Sequence, residues 1–280
     1  MGVLSIVLAT TGFFGCALVV LGAIMVLLAV KNGRDRWWIR RHAVSPCAAL
    51  RPVGKLPERY SVYGRTVPGR GGLVVAALSG AEAVWFRTMV CSFVMVDRNT
   101  RTTVLWEQSG GDPFGVADGT GAVAVAAPIL QGATFSSHLP VWARTRNPVG
   151  SPGPVPTRTV VDETTRNQRQ PGPWLRQLIE RGLIPQDRVM HADRVTVIEE
   201  IVPPGIPLHV IGKPEILAGG VVGLTLPKVG RYLALSRTPA ETERILAGDR
   251  TYGMGCAVWA TLVGVVCLAV FAAVAISITR

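Results

Sequence analysis

The sequence predicts an α+β membrane protein in which two transmembrane helices flank a β-rich domain. Three observations predict it. From Val3 to Val30 there are 28 consecutive residues without a charge, and from Thr251 to Thr279 there are 29. All 18 acidic residues and 28 of the 29 basic ones lie between these runs, Arg280 being the exception. In that middle portion apolar residues fall in short β-branched and aromatic runs, divided by Gly, Pro and Asp turns.

The first element is a helix over 3–30. A helix needs roughly 20 mostly apolar residues to cross a hydrocarbon core of about 30 Å, and both apolar runs exceed that. A buried helix of a soluble protein does not explain why charges begin abruptly at Lys31 and stop abruptly at Arg250. A cleaved signal peptide has a basic start and a short apolar stretch of roughly 7–15 residues. Met1-Gly2-Val3 carries no basic side chain and the run is too long, so the first helix reads as a retained anchor.

Residues 31–60 form a basic, Pro-containing approach from the membrane. Lys31, Arg34, Arg36, Arg40 and Arg41 follow the first span, and Arg237, Arg244 and Arg250 precede the second. Basic residues near span ends stay on the cytoplasmic side. This predicts a cell-membrane protein with two spans, both termini outside and the central domain in the cytoplasm. Trp37, Trp38 and Tyr252 stand where aromatic rings favour the headgroup layer. The cluster Lys31, Arg34, Arg36, Arg40 and Arg41 is a candidate lipid-headgroup site, against the alternative that it only fixes topology. Arg outnumbers Lys 25 to 4, a composition typical of GC-rich bacterial genomes.

The domain, 61–250, opens with strands. Leu73–Leu78 is a short apolar run closed by a Ser79-Gly80 turn, and Val84–Val96 is rich in aromatic and β-branched residues. Thr102–Trp106 pairs back onto it through the polar turn Asp97–Arg101. Pro113–Val125 reads as two strands about an Asp-Gly turn, because both residues tolerate tight-hairpin backbone angles. Residues 147–173, with Pro148, Pro152, Pro154 and Pro156, read as a long loop. Trp174–Arg181 is a short helix with Trp174, Leu175, Leu178 and Ile179 on one face. Arg194–Val202 and Pro207–Gly212 are strand-like, joined by a Pro203-Pro204-Gly205 turn. Thr238-Pro239-Ala240-Glu241 has the form of a helix start, with Gly248 as the stop before the second span, 254–278.

Several of these segments together resemble the GIDE, or beside-a-membrane, domain of mitochondrial membrane-anchored RING-type ubiquitin ligases and their bacterial relatives. The segments are Gly64, Ala77-Leu78-Ser79-Gly80, Ala83-Val84-Trp85-Phe86-Arg87, Trp106 and Pro113–Val123. Glu199-Glu200-Ile201-Val202-Pro203-Pro204-Gly205, Leu208–Gly212 and Leu233–Ser236 continue the order. The likeness covers about residues 60–278. Ala77 stands where the family often has Pro, Ala83 where it has Cys and Ile206 where it has Asp. It implies a domain that recognises a protein partner beside the membrane; the β-rich architecture itself leaves open a partly closed, barrel-like form. In the family the domain lies in the intermembrane space, whereas the charges here favour the cytoplasm. The ligases carry a zinc-binding RING after the second helix. No such Cys/His set follows here, so ligase-like activity stays an alternative implied by the family name only.

No catalytic, cofactor or metal residues are expected. Cys47 and Cys91 are far apart, no CxxC occurs, and His42, His138, His191 and His209 are scattered, unlike a zinc site. A Cys47–Cys91 disulfide stays open, though a cytoplasmic location disfavours it. Asp118-Gly119-Thr120-Gly121 is a turn rather than an aspartic protease loop, and Gly69-Arg70-Gly71-Gly72 lacks the Lys-Ser/Thr end of a phosphate loop. Glu199 and Glu200, neighbours in a strand, are expected as one exposed and one ion-paired residue. The net charge of about +10 between the two apolar runs suggests nucleic acid in principle. Outside the membrane-proximal cluster, however, basic and acidic residues alternate, so no nucleic-acid partner is expected. A protein partner is expected. Ala260-x-x-x-Gly264 and Ala269-x-x-x-Ala273 leave a homo-oligomer or membrane organiser open.

Overall fold

The computed structural model describes residues 2–51, 56–96, 99–131, 157–166, 169–217, 219–228 and 232–279. The elements are α1 (Gly2–Arg41), β1 (Tyr60–Val67), β2 (Val74–Val75), β3 (Glu82–Ala83), β4 (Trp85–Val96), β5 (Asn99–Gly110), β6 (Phe114–Asp118) and β7 (Gly121–Val125). They continue as α2 (Pro128–Gln131), β8 (Arg158–Thr165), α3 (Pro173–Glu180), α4 (Gln186–Met190), β9 (Arg194–Val202), β10 (Pro207–Ile216), β11 (Val222–Thr225), β12 (Leu233–Leu235) and α5 (Pro239–Thr279). The chain divides into a helical unit, residues 1–41 with 240–280, and a β-rich unit, His42–Pro239.

In the helical unit α1 and α5 are both long and apolar enough to cross a membrane. Forty residues of helix are about 60 Å long, twice the hydrocarbon thickness. The basic segment Lys31–Arg41 forms the last three turns of α1. Gly248 likewise does not stop a helix, because α5 runs unbroken from Pro239 to Thr279. A helical Gly costs about 1 kcal/mol relative to Ala, too little to break a helix continued by well-bonded turns on both sides.

The helices are antiparallel and meet along a seam of small residues. Gly15, Gly22 and Ala29, spaced by seven, are buried on α1, and Gly253, Ala257 and Gly264 are buried on α5. A Cβ on Gly22 would lie 2.3 Å from Thr261 Oγ1, and one on Gly264 would lie 2.9 Å from the Gly15 carbonyl oxygen. Without a hydrophobic drive inside lipid, such backbone proximity is what holds two spans together. Gly264 is used within the chain, whereas Ala269 and Ala273 face outward.

The β-rich unit combines a closed barrel with an open sheet. The barrel runs β1-β6-β7-β11-β10 and returns to β1 through the antiparallel register Tyr60↔Gly212 to Arg65↔Pro207. Strand side chains alternate between faces. Val62, Phe114, Val116, Val123, Val125, Leu208, Val210 and Leu224 accordingly fill the interior. The β6–β7 hairpin turns at Gly119-Thr120, as expected from the Asp-Gly signal. Asp118 Oδ1 accepts from Thr120 N (2.7 Å) and Gly121 N (3.1 Å), and Oδ2 accepts from Cys47 N (2.9 Å).

The second sheet is antiparallel, in the order β5-β4-β9-β8. One face carries Val90, Val161, Val195 and Val197 against Leu175 and Leu178 of α3 and Val189 of α4. Val84, Trp85 and Val202 at the sheet's end belong to the barrel core, so the two layers share side chains. The β4–β5 pairing agrees with the sequence reading, but β5 begins at Asn99, inside the expected turn, and reaches Gly110. Residues 97 and 98 lie outside the described residues.

Two expectations are corrected. Of the run Leu73–Leu78 only Val74–Val75 is strand, paired with Glu82–Ala83, while 77–79 is turn. The stretch 147–173 is not loop throughout: its part 147–156 lies outside the described residues, but Arg158–Thr165 is β8 on the edge of β9. Five of those eight residues are Thr or Val. Their β-branched chains pack well on a pleated surface, which outweighs the Pro and charge content nearby. Cys47 and Cys91 are both free and buried, Cys47 in the barrel core and Cys91 on β4. Burial pushes each thiol up to about 11, so both are inert.

Candidate functional site

The basic cluster expected to meet lipid headgroups lies wholly on α1, and the helical period divides it. At about 100° per residue, Lys31, Arg34 and Arg41 fall on one side of the helix and Arg36 and Arg40 on another, with Trp37 between the two groups. Lys31, Arg34 and Arg41 are exposed, and the Arg41 guanidinium stacks over the Trp37 ring at 5.3 Å. Trp37 is itself 60% exposed. Arg40 is instead engaged by Glu243 of α5, Nε to Oε2 2.8 Å. Arg36 Nε is buried without a hydrogen-bond partner.

A second site, on the barrel's outer face, carried no sequence signal. Gly115, Ala122 and Ala124 alternate with the interior residues Phe114, Val116, Val123 and Val125, so this part of the wall lacks bulk. A Cβ on Gly115 would lie 2.6 Å from Val67 Cγ2. The dent is walled by the turn Gly69–Gly72, closed by a Gly69↔Gly72 bridge, and by Gly111–Pro113. The result is a groove of about 410 Å³. Its charged members are Arg70 and Asp112, and Asp112 Oδ1 is occupied by Ala127 N at 2.9 Å. Val74 forms part of the wall, and Val75 next to it is 63% exposed. β2 pairs on one edge with β3 and has no strand on its other edge among the described residues. A small-residue floor beside an open strand edge suits an extended apolar segment, bound by main-chain hydrogen bonds and one or two inserted side chains.

The polar groups buried in the domain serve the fold. Both glutamates of β9 are buried, against the expectation of one exposed and one ion-paired: Glu199 is 0% exposed and Glu200 4%. β9 is an inner strand with both faces covered, so a change of face is not a change to solvent. Glu199 accepts from Leu78 N (2.7 Å), Ser79 N (2.9 Å) and Thr88 Oγ1 (2.7 Å). Burial raises its pKa, but the hydrogen bonds from Ser79, Thr88 and Leu78 outweigh burial and hold it below the usual carboxylate value. Glu200 sits across from Arg87, which Glu107 engages at 2.8 Å. Burial, only partly offset by Arg87, raises Glu200 to about 7. The resemblance contained the pair Glu199-Glu200 but not its environment.

Among the histidines, His138 lies outside the described residues. His191 Nδ1 meets the Asp187 carbonyl at 2.6 Å. His209 Nε2 lies 3.1 Å from Ser61 Oγ, both closed to solvent, and its Nδ1 has no partner. Burial lowers His209 to about 4, so the ring is neutral. Without a carboxylate on the ring among the described residues, and shut from solvent, the pair has neither the orienting acid nor the access of a nucleophilic site. Asp118, held well below the usual range first by the Thr120 hydroxyl, is a turn residue. No group of three or more His, Cys, Asp or Glu among the described residues is placed to hold a metal.

Fold and site together define a class: a β-barrel and sheet domain between two apolar helices, with a groove and no reactive constellation among the described residues. Comparison with protein-family models, with curated proteins and with solved structures finds no match to this chain.

Proposed function

We propose that the protein is a membrane-anchored, non-catalytic binding module of the GIDE type. It is held by two spans in the cell membrane with its domain on the cytoplasmic side, and it engages an extended apolar segment of a protein partner. The observation that carries this reading is the groove floored by Gly115, Ala122 and Ala124 beside the open edge of β2. Support for the family likeness comes from where its segments fall: Gly64 on β1, Trp85-Phe86-Arg87 on β4, the hairpin β6–β7, and the β9–β10 connection. Gly64 also has a physical reason, since a Cβ there would lie 2.2 Å from the Ala117 carbonyl oxygen. Cytoplasmic placement rests on the basic excess at the inner ends of both spans.

A photo-crosslinking residue at Arg70, an exposed member of the groove's wall, in the full chain in cells, tests the proposal. Discrete adducts should form from Arg70 and not from Val104, an exposed position on β5. Filling the groove with Ala122→Phe should abolish them. Equal adducts from both positions, or adducts that survive the filled groove, would refute the assignment.

A further inference from the structure

The helical unit holds a second cavity, of about 360 Å³, whose two ends differ in chemistry. Val26 and Val30 of α1 and Met254 of α5 line one end, and Arg34, Trp37 and Arg250 line the other. On α1 these positions recur at helical spacing and pass along one face from the apolar span into the basic turns. Arg250 is the last charged residue before the second apolar run. The boundary between apolar and charged sequence therefore falls in this one groove on both helices. Gly33 leaves room for the Arg250 side chain, whose Nε would lie 3.6 Å from a Cβ at that position. Neither Arg34 nor Arg250 has a carboxylate partner among the described residues.

We propose that this groove binds one anionic glycerophospholipid, of the phosphatidylglycerol or cardiolipin class. Arg34 and Arg250 take the phosphate, the Trp37 indole lies at the glycerol level, and an acyl chain follows Val30, Val26 and Met254. The inference rests on the reading that both helices span the membrane. Two guanidiniums lacking a carboxylate select a net negative headgroup over a zwitterionic one. The continuous apolar end selects a lipid over free phosphate. Basic pockets between membrane helices on the cytoplasmic side are where such headgroups are held. Arg250 is the member that the cluster on α1 alone did not reveal.

The test is native mass spectrometry of the full chain in detergent micelles doped with phosphatidylglycerol or phosphatidylcholine. The parent should retain phosphatidylglycerol in preference. R34Q/R250Q should weaken retention roughly thirtyfold, the effect of two basic side chains at a membrane surface. R237Q/R244Q, which removes the same charge outside the groove, should leave it nearly unchanged. V30W keeps both guanidiniums but blocks the acyl path, and it should also lose the lipid. Equal loss in the two charge variants, equal retention of phosphatidylcholine, or an unaffected V30W would overturn the proposal. Release of the chain from membranes by alkaline carbonate would overturn the membrane reading itself; a chain that stays embedded but shows no groove-dependent lipid overturns only this inference.

Discussion

Replacing Glu199 by Gln removes one charge and no volume from the centre of the domain. The parent carboxylate accepts three hydrogen bonds, from two backbone N–H groups and one hydroxyl, at 2.7–2.9 Å with no exposure to water. Hydrogen bonds to a charged acceptor contribute about 1.5–3 kcal/mol each, roughly twice the neutral figure. Gln keeps one acceptor oxygen but turns an NH₂ toward a donor, leaving that donor buried and unpaired. The expected loss is about 3–5 kcal/mol. For a unit of this size each kcal/mol lowers Tm by about 2–4 °C, so Tm should fall by about 10 °C. Thermal unfolding of the full chain in detergent, followed by tryptophan fluorescence, measures it. Because the folded-state pKa is lowered, the parent's extra stability is present above the ordinary carboxylate pKa and is lost as pH falls through the folded value. The deficit of the variant should therefore shrink in acid. A Tm change below about 2 °C, or a deficit independent of pH, would refute the assignment of Glu199 as the charge that organises the 77–80 turn.

The neighbouring Glu200→Gln should act in the opposite sense. Its folded pKa is raised to about 7, so the parent loses stability as pH rises from the ordinary carboxylate value to that point. The variant should be more stable by about 3 kcal/mol at pH 8 and by only about 1 kcal/mol at pH 5, read from the same melts. Glu163 caps α3 with both oxygens, on Trp174 N and Leu175 N at 3.1 Å each. Glu163→Ala should cost about 1–2 kcal/mol and raise hydrogen exchange selectively in α3. In the helical unit a Cβ on Gly253 would lie 3.5 Å from Ala29 Cβ, within disulfide reach. A29C/G253C should cross-link on mild oxidation within one chain, and adding Gly22→Leu should prevent it by splaying the seam.

Local patterns carried much of this architecture. The two uncharged runs, the alternation of 113–125 about Asp118-Gly119 and the apolar face of Trp174–Ile179 each arise from residues close in sequence. What escaped depends on distance. Barrel closure needs β1 to find β10, with Val62 opposite Val210, and nothing local encodes that pairing. β8 escaped because Pro and charge around it mask its β-branched run. Glu199 and Glu200 were misplaced because alternation separates faces but does not say that both faces of an inner strand are covered. Gly248 does not stop α5 as its residue type predicts, since propensity does not register the continuity of a long helix. The groove left no sequence mark either: Gly115, Ala122 and Ala124 look like ordinary small strand residues until Val67 and the Gly69–Gly72 turn are set around them.

In the proposed arrangement two antiparallel spans hold the domain at the cytoplasmic face of a membrane. Cysteine accessibility at Gln186, exposed at the start of α4, tests it directly. In the full chain the Gln186→Cys thiol should react with a membrane-impermeant maleimide only after the cells are permeabilised, and the protein should stay in the carbonate-washed membrane. Labelling in intact cells would place the domain outside, and recovery in the carbonate supernatant would show that the helices are not anchors.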